Sequence, residues 1–290
     1  MNVFLVANSI KSDAYAAMQS VNLWLNERGI SSKTATANEL TGTNIRATGL
    51  AQEIQKFDLV CCFGGDGTIL RTAHAIGVSG VPLLGINYGE LGFLTGTSAD
   101  LAFVALEAFL ANEIVAENRC LLKAKVSYAN GKTDELLALN ELVVGRGDQG
   151  RAIRLMLGIN GDAILDFRGD GLIVATATGS TAYALSAGGP IVSPTHRGLC
   201  VVPLNPHSLH TRSIVTGQLD CVEVQMPDVS SRGIMLWLDG QTAYPLDTTD
   251  EQLQTEIIGI TVLPASEQLT LLRYDAPAFY ERAANAFFKR

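Results

Sequence analysis

Leu59-Val60-Cys61-Cys62-Phe63-Gly64-Gly65-Asp66-Gly67-Thr68 sets an unbroken apolar run against a glycine-rich turn, and Ile69 to about Ile76 continues it with helical spacing. A continuous apolar run suits a strand buried on both faces, the habit of parallel sheets covered by helices. Open α/β sheets place their ligands at turns of this strand-turn-helix kind. Three glycines let backbone N–H groups approach a phosphate closely, and a helix N-terminus adds a dipole favourable to an anion. The turn lacks the lysine of a G-x-x-x-x-G-K-[ST] loop and offers a carboxylate, Asp66, in its place. A phosphate repels a carboxylate so placed unless the carboxylate takes a proton from a nucleophile or reaches a metal ion. On spacing alone, a plain surface turn remains the alternative.

Working outward, Val3-Phe4-Leu5-Val6 is a second strand, followed by Ala14, Ala17, Met18, Val21, Trp24 and Leu25 at helical spacing and by Gly29 where a helix ends. Val81 to Ile86 is a third strand, and Ser98 stands as an N-cap for a helix carrying Leu101, Val104, Ala105, Ala108 and Phe109. After about Glu117 the texture changes to short β-branched or alternating segments: Leu121–Tyr128, Leu136–Val144, Ile153–Ile159, Ala163–Phe167 and Leu172–Ala175. Asn160-Gly161 and Asp239-Gly240 are hairpin dipeptides. The tail from Ala276 to Lys289 returns to helical spacing. The pattern alone gives an α/β first domain, an antiparallel, all-β second domain after about Glu117, and a last helical element packing back on the first domain.

The 290 residues suit two ordinary domains, and 47% hydrophobic against 17% charged residues exclude general disorder. No apolar stretch reaches the ~18–20 residues of a membrane span, and Met1-Asn2-Val3-Phe4 lacks a basic leader. Neither export nor membrane insertion is expected. With 21 Lys+Arg against 29 Asp+Glu the net charge is −8, which disfavours nucleic acid and anionic membranes as partners. Five scattered cysteines (Cys61, Cys62, Cys120, Cys200, Cys221) and four histidines form no zinc pattern, so reduced thiols and no fixed protein metal site are expected.

Two further segments carry polar chemistry. Arg168-Gly169-Asp170-Gly171 precedes an apolar strand and the block Thr176-Ala177-Thr178-Gly179-Ser180-Thr181-Ala182-Tyr183. Its hydroxyls crowd a helix start; a capped helix accounts for Ser180 and Thr181 but not for Asp170 or Tyr183. Asn140-Glu141 heads the strand Leu142-Val143-Val144 and is able to donate and accept toward sugar hydroxyls.

Together these segments, with Gly85-Ile86-Asn87, Leu91-Gly92-Phe93-Leu94 and Pro206-His207-Ser208-Leu209, resemble the NAD kinase family over essentially the whole chain. The glycine-rich motif is shared with diacylglycerol, sphingosine and 6-phosphofructo-kinases, whereas the T-G-S-T-A-Y block separates this family from them. The resemblance implies transfer of a phosphoryl group from ATP or polyphosphate to the 2′-hydroxyl of the adenosine ribose of NAD or NADH. It makes Asp66 the catalytic base and Asn140 and Glu141 ligands of NAD. It sets Asp170, Thr178, Thr181, Ala182, Tyr183, Ala184, Leu185 and Ser186 around the adenine and nicotinamide ends. Gly64, Gly65, Gly67, Thr68, Arg71, Asn87, Phe93, Arg151, Arg168 and Gln241 also match nucleotide-binding positions. The fold that the resemblance implies is an α/β domain over residues 1–115, an all-β, sandwich-like domain over 116–265, and a C-terminal segment over 266–290 returning to the first domain; Mg²⁺ or another divalent cation arriving with ATP, a cytoplasmic location and a homodimer or homotetramer are implied as well.

Three residues depart from the family pattern: Ala177 for proline, Glu90 for a basic residue or histidine, and Ser213 where Arg-Pro is usual. Two rival readings are a diacylglycerol-type lipid kinase, which the negative charge disfavours, and a non-catalytic dinucleotide-binding regulator, which has no need of Asp66.

Overall fold

The computed structural model describes residues 1–40, 50–90, 92–147, 151–227, 234–244 and 257–289; Leu91 lies outside them. The chain forms two compact units, Met1–Arg119 with Gln268–Arg290, and Cys120–Glu267.

In the first unit β1 (Asn2–Ala7), β2 (Ser31–Thr36), β3 (Leu59–Gly64) and β4 (Leu83–Asn87) form a parallel sheet in the order β2-β1-β3-β4. Leu271 and Leu272 pair in parallel with Leu83 and Leu84, and the short β5 (Thr97–Ser98) pairs in parallel with Ile86 and Asn87. All six residues of β3 are buried, as a strand covered on both faces requires. Helix α1 (Ser12–Glu27) turns Ala14, Met18, Val21 and Leu25 into the core. It ends as expected at Gly29, which has φ 71°, accepting neither strain nor disorder: Ile30 N–H donates to Leu25 O and Gly29 N–H to Asn26 O, which closes the last turn. Between α2 (Leu50–Ile54) and the later α4 (Ala102–Leu110), α3 spans Asp66–Ile76. It starts three residues earlier than the apolar pattern suggested, because Gly65 is the N-cap, so Gly67 and Thr68 belong to its first turn. Ser98 occupies an N-cap position but makes no side-chain cap bond, and a 3₁₀ turn over Ala99–Leu101 leads into α4.

The second unit is built from antiparallel pairs. The chain enters it within β6 (Val115–Tyr128), which pairs with β7 (Thr133–Ala138). One sheet contains β9 (Ile153–Ile159), β10 (Asp162–Gly169), β14 (Val222–Gln225) and the first part of β17 (Ile257–Arg273). The other runs β13-β12-β11-β8-β15-β16, comprising Ile214–Val215, Cys200–Leu204, Gly171–Ala175, Glu141–Arg146, Ile234–Leu238 and Gln241–Tyr244 in that order. Inward side chains such as Leu142, Val144, Leu155, Leu157, Leu172, Val174 and Leu236 form one core. At roughly 1.5–3 kcal/mol for each fully buried side chain of this size, that core is the main support of the unit.

Both hairpin dipeptides sit between paired strands, with Asn160, Gly161, Asp239 and Gly240 all at positive φ. The stretch Leu136–Val144, read as one strand, is instead broken at Leu139-Asn140. The polar block after β11 forms only a 3₁₀ turn, Gly179–Thr181, and the short helix α5 (Tyr183–Ser186). The tail forms α6 (Phe279–Ala283), starting just after Pro277, and a π turn over Ala284–Phe288.

Candidate functional site

In the first unit the strand order reverses between β1 and β3, and in sheets of this type the crevice beyond the strand ends at that point receives ligands. Asn8 leaves β1 there: its N–H donates to Phe63 O at 3.1 Å and its Nδ2 to Thr68 Oγ1 at 3.4 Å. A Cβ on Gly64 would lie 2.7 Å from Thr68 Cβ, so this glycine is required by the packing of its own loop. Among the described residues, chain neighbours and the helix's own backbone aside, a Cβ on Gly65 or Gly67 would meet no atom within 4 Å; packing against these residues does not explain the two glycines. Asp66 opens α3 with both carboxylate oxygens engaged, Oδ2 accepting from Phe93 N–H at 2.7 Å and Oδ1 from Leu94 N–H at 3.1 Å. Gly92 passes so close that a Cβ there would fall 2.0 Å from Asp66 Oδ1.

Other first-unit candidates divide in two. Arg71 is half-buried on α3, and Asn87 ends β4 with its Oδ1 accepting from Gly89 N–H at 3.1 Å. Phe93, by contrast, turns its ring to the tail, 5.7 Å from Phe287 in a stacked arrangement and 5.9 Å from Phe279. Glu90 is exposed after β4.

In the second unit Asn140 and Glu141 are held by a residue one hundred positions away. The Asp239 carboxylate accepts from the N–H groups of Leu139, Asn140 and Glu141 at 2.8, 2.7 and 2.9 Å. These bonds engage the backbone at the break between β7 and β8. Thr176 secures the other side, its hydroxyl donating to Leu139 O at 2.6 Å and its N–H to Asn140 O at 2.8 Å. Gly179 is needed for that approach, because a Cβ would stand 2.2 Å from Asn140 O. Asn140 and Glu141 are 9% and 5% exposed, yet among the described residues Asn140 Oδ1 and Glu141 Oε2 have no hydrogen-bond partner. Burial, and then the nearby Asp239 charge, push the Glu141 carboxyl up to about 8, so it carries its proton at neutral pH.

Glu141 borders a pocket of about 490 Å³ whose wall includes Arg146, Asp170, Tyr183 and Trp237. Asp170 is fixed by Arg146 Nε at 2.8 Å and Asn205 Nδ2 at 2.8 Å. Tyr183 is exposed at its edge, while Ala184 is fully buried among Val143, Ile173 and Cys200 and Thr178 is buried in the turn. Thr181 donates to Thr178 O at 3.1 Å. Ser180 is likewise internal, its Oγ donating to Ala177 O at 2.7 Å and accepting from Val192 N–H at 3.0 Å. Ala182, Leu185 and Gln241 are half-buried, and Ser186, Arg151 and Arg168 are exposed.

Asp239, Arg146 and Trp237 are further candidate site residues that sequence reasoning missed. Asp239-Gly240 was legible only as a turn, and nothing local shows that its carboxylate faces backwards onto Asn140. Arg146 and Trp237 stand on alternating strands whose pocket-facing side is visible only once β8 and β15 are paired.

The chain is similar to known proteins along most of its length. Residues 3–114 match the ATP-NAD kinase N-terminal domain and residues 139–255 the ATP-NAD kinase C-terminal domain. A NAD kinase of Desulforamulus reducens is 35% identical over 282 residues, 96% of this chain and 93% of that protein. In fold, the chain is similar to yeast NADH kinase complexed with NADH, with TM-score 0.84 and 22% identity over 99% of this chain and 87% of that one. It is also similar to a NAD kinase from Archaeoglobus fulgidus in complex with ATP, with TM-score 0.74 and 24% identity over 99% and 97%. With both domains matched and a relative aligned along nearly its whole length, the chain belongs to the NAD kinase family of phosphotransferases.

Proposed function

We propose that the protein transfers the terminal phosphoryl group of ATP to the 2′-hydroxyl of the adenosine ribose of NAD, giving NADP. The observation that carries this reading is the pair of buried, unpartnered oxygens on Asn140 and Glu141 beside the pocket. An unsatisfied buried acceptor costs on the order of 1–3 kcal/mol, and the hydroxyls of a ribose are donors able to relieve it. Neutral Glu141 both donates and accepts, which suits a diol. Asp170, fixed by Arg146 and Asn205, adds a further acceptor, and the Trp237 and Tyr183 rings offer flat apolar surface to a base.

Asp66 is the proposed base: a ribose hydroxyl is a poor nucleophile until a carboxylate accepts its proton. In the first turn of α3 the Thr68 N–H already donates to Gly65 O at 2.9 Å, whereas the Asp66 and Gly67 N–H groups precede the first intrahelical bond, and the open flanks of Gly65 and Gly67 admit a phosphate close to them. Among the described residues no three His, Cys, Asp or Glu side chains cluster as metal ligands. A divalent cation is accordingly proposed to enter on the phosphates of the donor, where it supplies charge neutralisation during transfer. Within the described residues no helix is long and apolar enough to cross a membrane, and the five free cysteines suit a reducing compartment such as the cytoplasm. Assembly into a homodimer or homotetramer belongs to the same proposal and is read directly by size-exclusion chromatography with light scattering.

The deciding experiment incubates the purified protein with NAD, ATP and Mg²⁺ and follows NADP. Formation of NADP with matching ADP is expected. NAD binding without NADP, under conditions that support a known NAD kinase, would assign the protein instead to the non-catalytic regulators.

A further inference from the structure

Behind Asp66, in the first unit, lies a buried group of charges that the proposed chemistry does not use. Arg119, Arg273 and Arg282 are 1%, 9% and 3% exposed. Glu117 pairs with Arg119 at 2.8 Å and accepts from Arg273 Nε. Burial alone would raise the Glu117 carboxyl, but the Arg119 and Arg273 guanidiniums hold it below its ordinary value. Desolvation and the neighbouring guanidiniums lower Arg282 to about 10, which leaves it charged at neutral pH.

The two arginines of the C-terminal segment spend their donors on one short stretch of backbone. Arg273 Nη2 donates to Phe93 O at 2.9 Å and Nη1 to Thr95 O at 2.6 Å. Arg282 Nη1 lies 3.3 Å from Gly92 O and 3.2 Å from Phe93 O. Gly92 O and Phe93 N–H belong to one peptide group, and Phe93 O and Leu94 N–H to the next. Those two N–H groups are the donors that hold Asp66. Each peptide therefore has a guanidinium on its carbonyl and the Asp66 carboxylate on its N–H. Hydrogen bonds in such a chain polarise and strengthen one another, and the planar guanidinium fork fixes direction as well as charge. The Phe93 ring, set against Phe279 and Phe287, seats the tail on the same stretch.

We propose that Arg273 and Arg282 are positioning residues for Asp66, fixing its carboxylate through the Gly92–Phe93 and Phe93–Leu94 peptide groups, so that the C-terminal segment sets the rate of transfer. This rests on the reading of Asp66 as the base. Misplacing a catalytic group by about 1 Å costs up to roughly 10²-fold.

The test is steady-state kinetics on Arg282→Met, Arg282→Lys and Arg273→Lys, each also made with Asp66→Asn, with NADP read by an amplifying cycling assay and the folded fraction by circular dichroism. Arg282→Met should lower kcat per folded molecule by about tenfold or more, with KM for NAD and for ATP within about twofold. The lysine variants, which keep the charge but lose the fork, should fall between it and the unaltered protein. In the Asp66→Asn background none of the three should lower the residual rate further, because they act through the carboxylate. Unaltered kcat in the lysine variants, or a loss that multiplies onto that of Asp66→Asn, overturns the proposal. Should Arg282→Met fail to fold, the two lysine variants decide alone by the same criteria. Near-normal turnover of Asp66→Asn itself would identify a failure of the base assignment rather than of the clamp.

Discussion

The two carboxyl groups at the centre of this account occupy opposite surroundings: Asp66 is ringed by donors, with two N–H groups on its oxygens and guanidiniums behind them, whereas Glu141 is buried beside another acid, Asp239, with one oxygen unpartnered. The same functional group is thereby suited to the two different tasks proposed for it. Asp66 is held in one orientation, as a proton acceptor must be. Glu141 keeps its proton and an unsatisfied atom, as suits a ligand for a polar sugar. The supports differ too, a three-residue backbone stretch for Asp66 and a distant hairpin carboxylate for the Asn140-Glu141 amides.

This contrast is open to attack at several points. Gly92→Ala forces a Cβ onto Asp66 Oδ1, and turnover should drop about 10²-fold with NAD affinity retained; NAD affinity falling in parallel, measured by calorimetry, would show that the two regions are not separable in function. Replacing Asn140 or Glu141 by alanine should weaken NAD binding by roughly 1–3 kcal/mol, or about five- to 150-fold. Unchanged affinity in both variants would remove the pair from the NAD site.

The protonation contrast makes a stability prediction. Glu141 titrates near 4.5 when unfolded and near 8 when folded, so the folded chain holds this proton more tightly. The stability it contributes is complete below about pH 4.5, declines as pH rises through the interval, and is lost above about 8. The slope is about 1.4 kcal/mol per pH unit at most. Glu141→Gln should flatten this part of the profile in urea unfolding followed between pH 5 and 9. An unaltered slope would mean that another group carries it. The smallest effect is expected at Glu90, which is exposed. Glu90→Arg should lower the apparent KM for ATP by no more than a fewfold, and only at low salt, because exposed charges are screened beyond about 10 Å at 0.1 M. A gain that persists at high salt would place Glu90 directly on the donor.

The parts of the molecule that depend on local pattern were readable from the sequence. The apolar run Leu59 to Phe63 suits a doubly covered strand, and Gly29, Asn160-Gly161 and Asp239-Gly240 point to the backbone conformations they adopt. What escaped reading was what one segment does to another far away. Leu136 to Val144 has the pattern of a single strand, and it breaks where Asp239 captures three amides from about one hundred residues away. Arg273 and Arg282 give no local sign that they face carbonyls some 180 to 190 positions earlier, since side chain to backbone bonds leave no periodicity. Within the Thr176–Tyr183 block the motif drew attention to hydroxyls, but the structure spends Thr176 and Ser180 on its own backbone.

The most direct test of the division of labour is to measure turnover and NAD affinity together in Asp66→Asn, a nearly isosteric change. The account predicts a fall in kcat of about 10²–10⁴-fold with the NAD dissociation constant essentially unchanged by calorimetry. Turnover near that of the unaltered protein, or NAD binding lost in step with kcat, would contradict it.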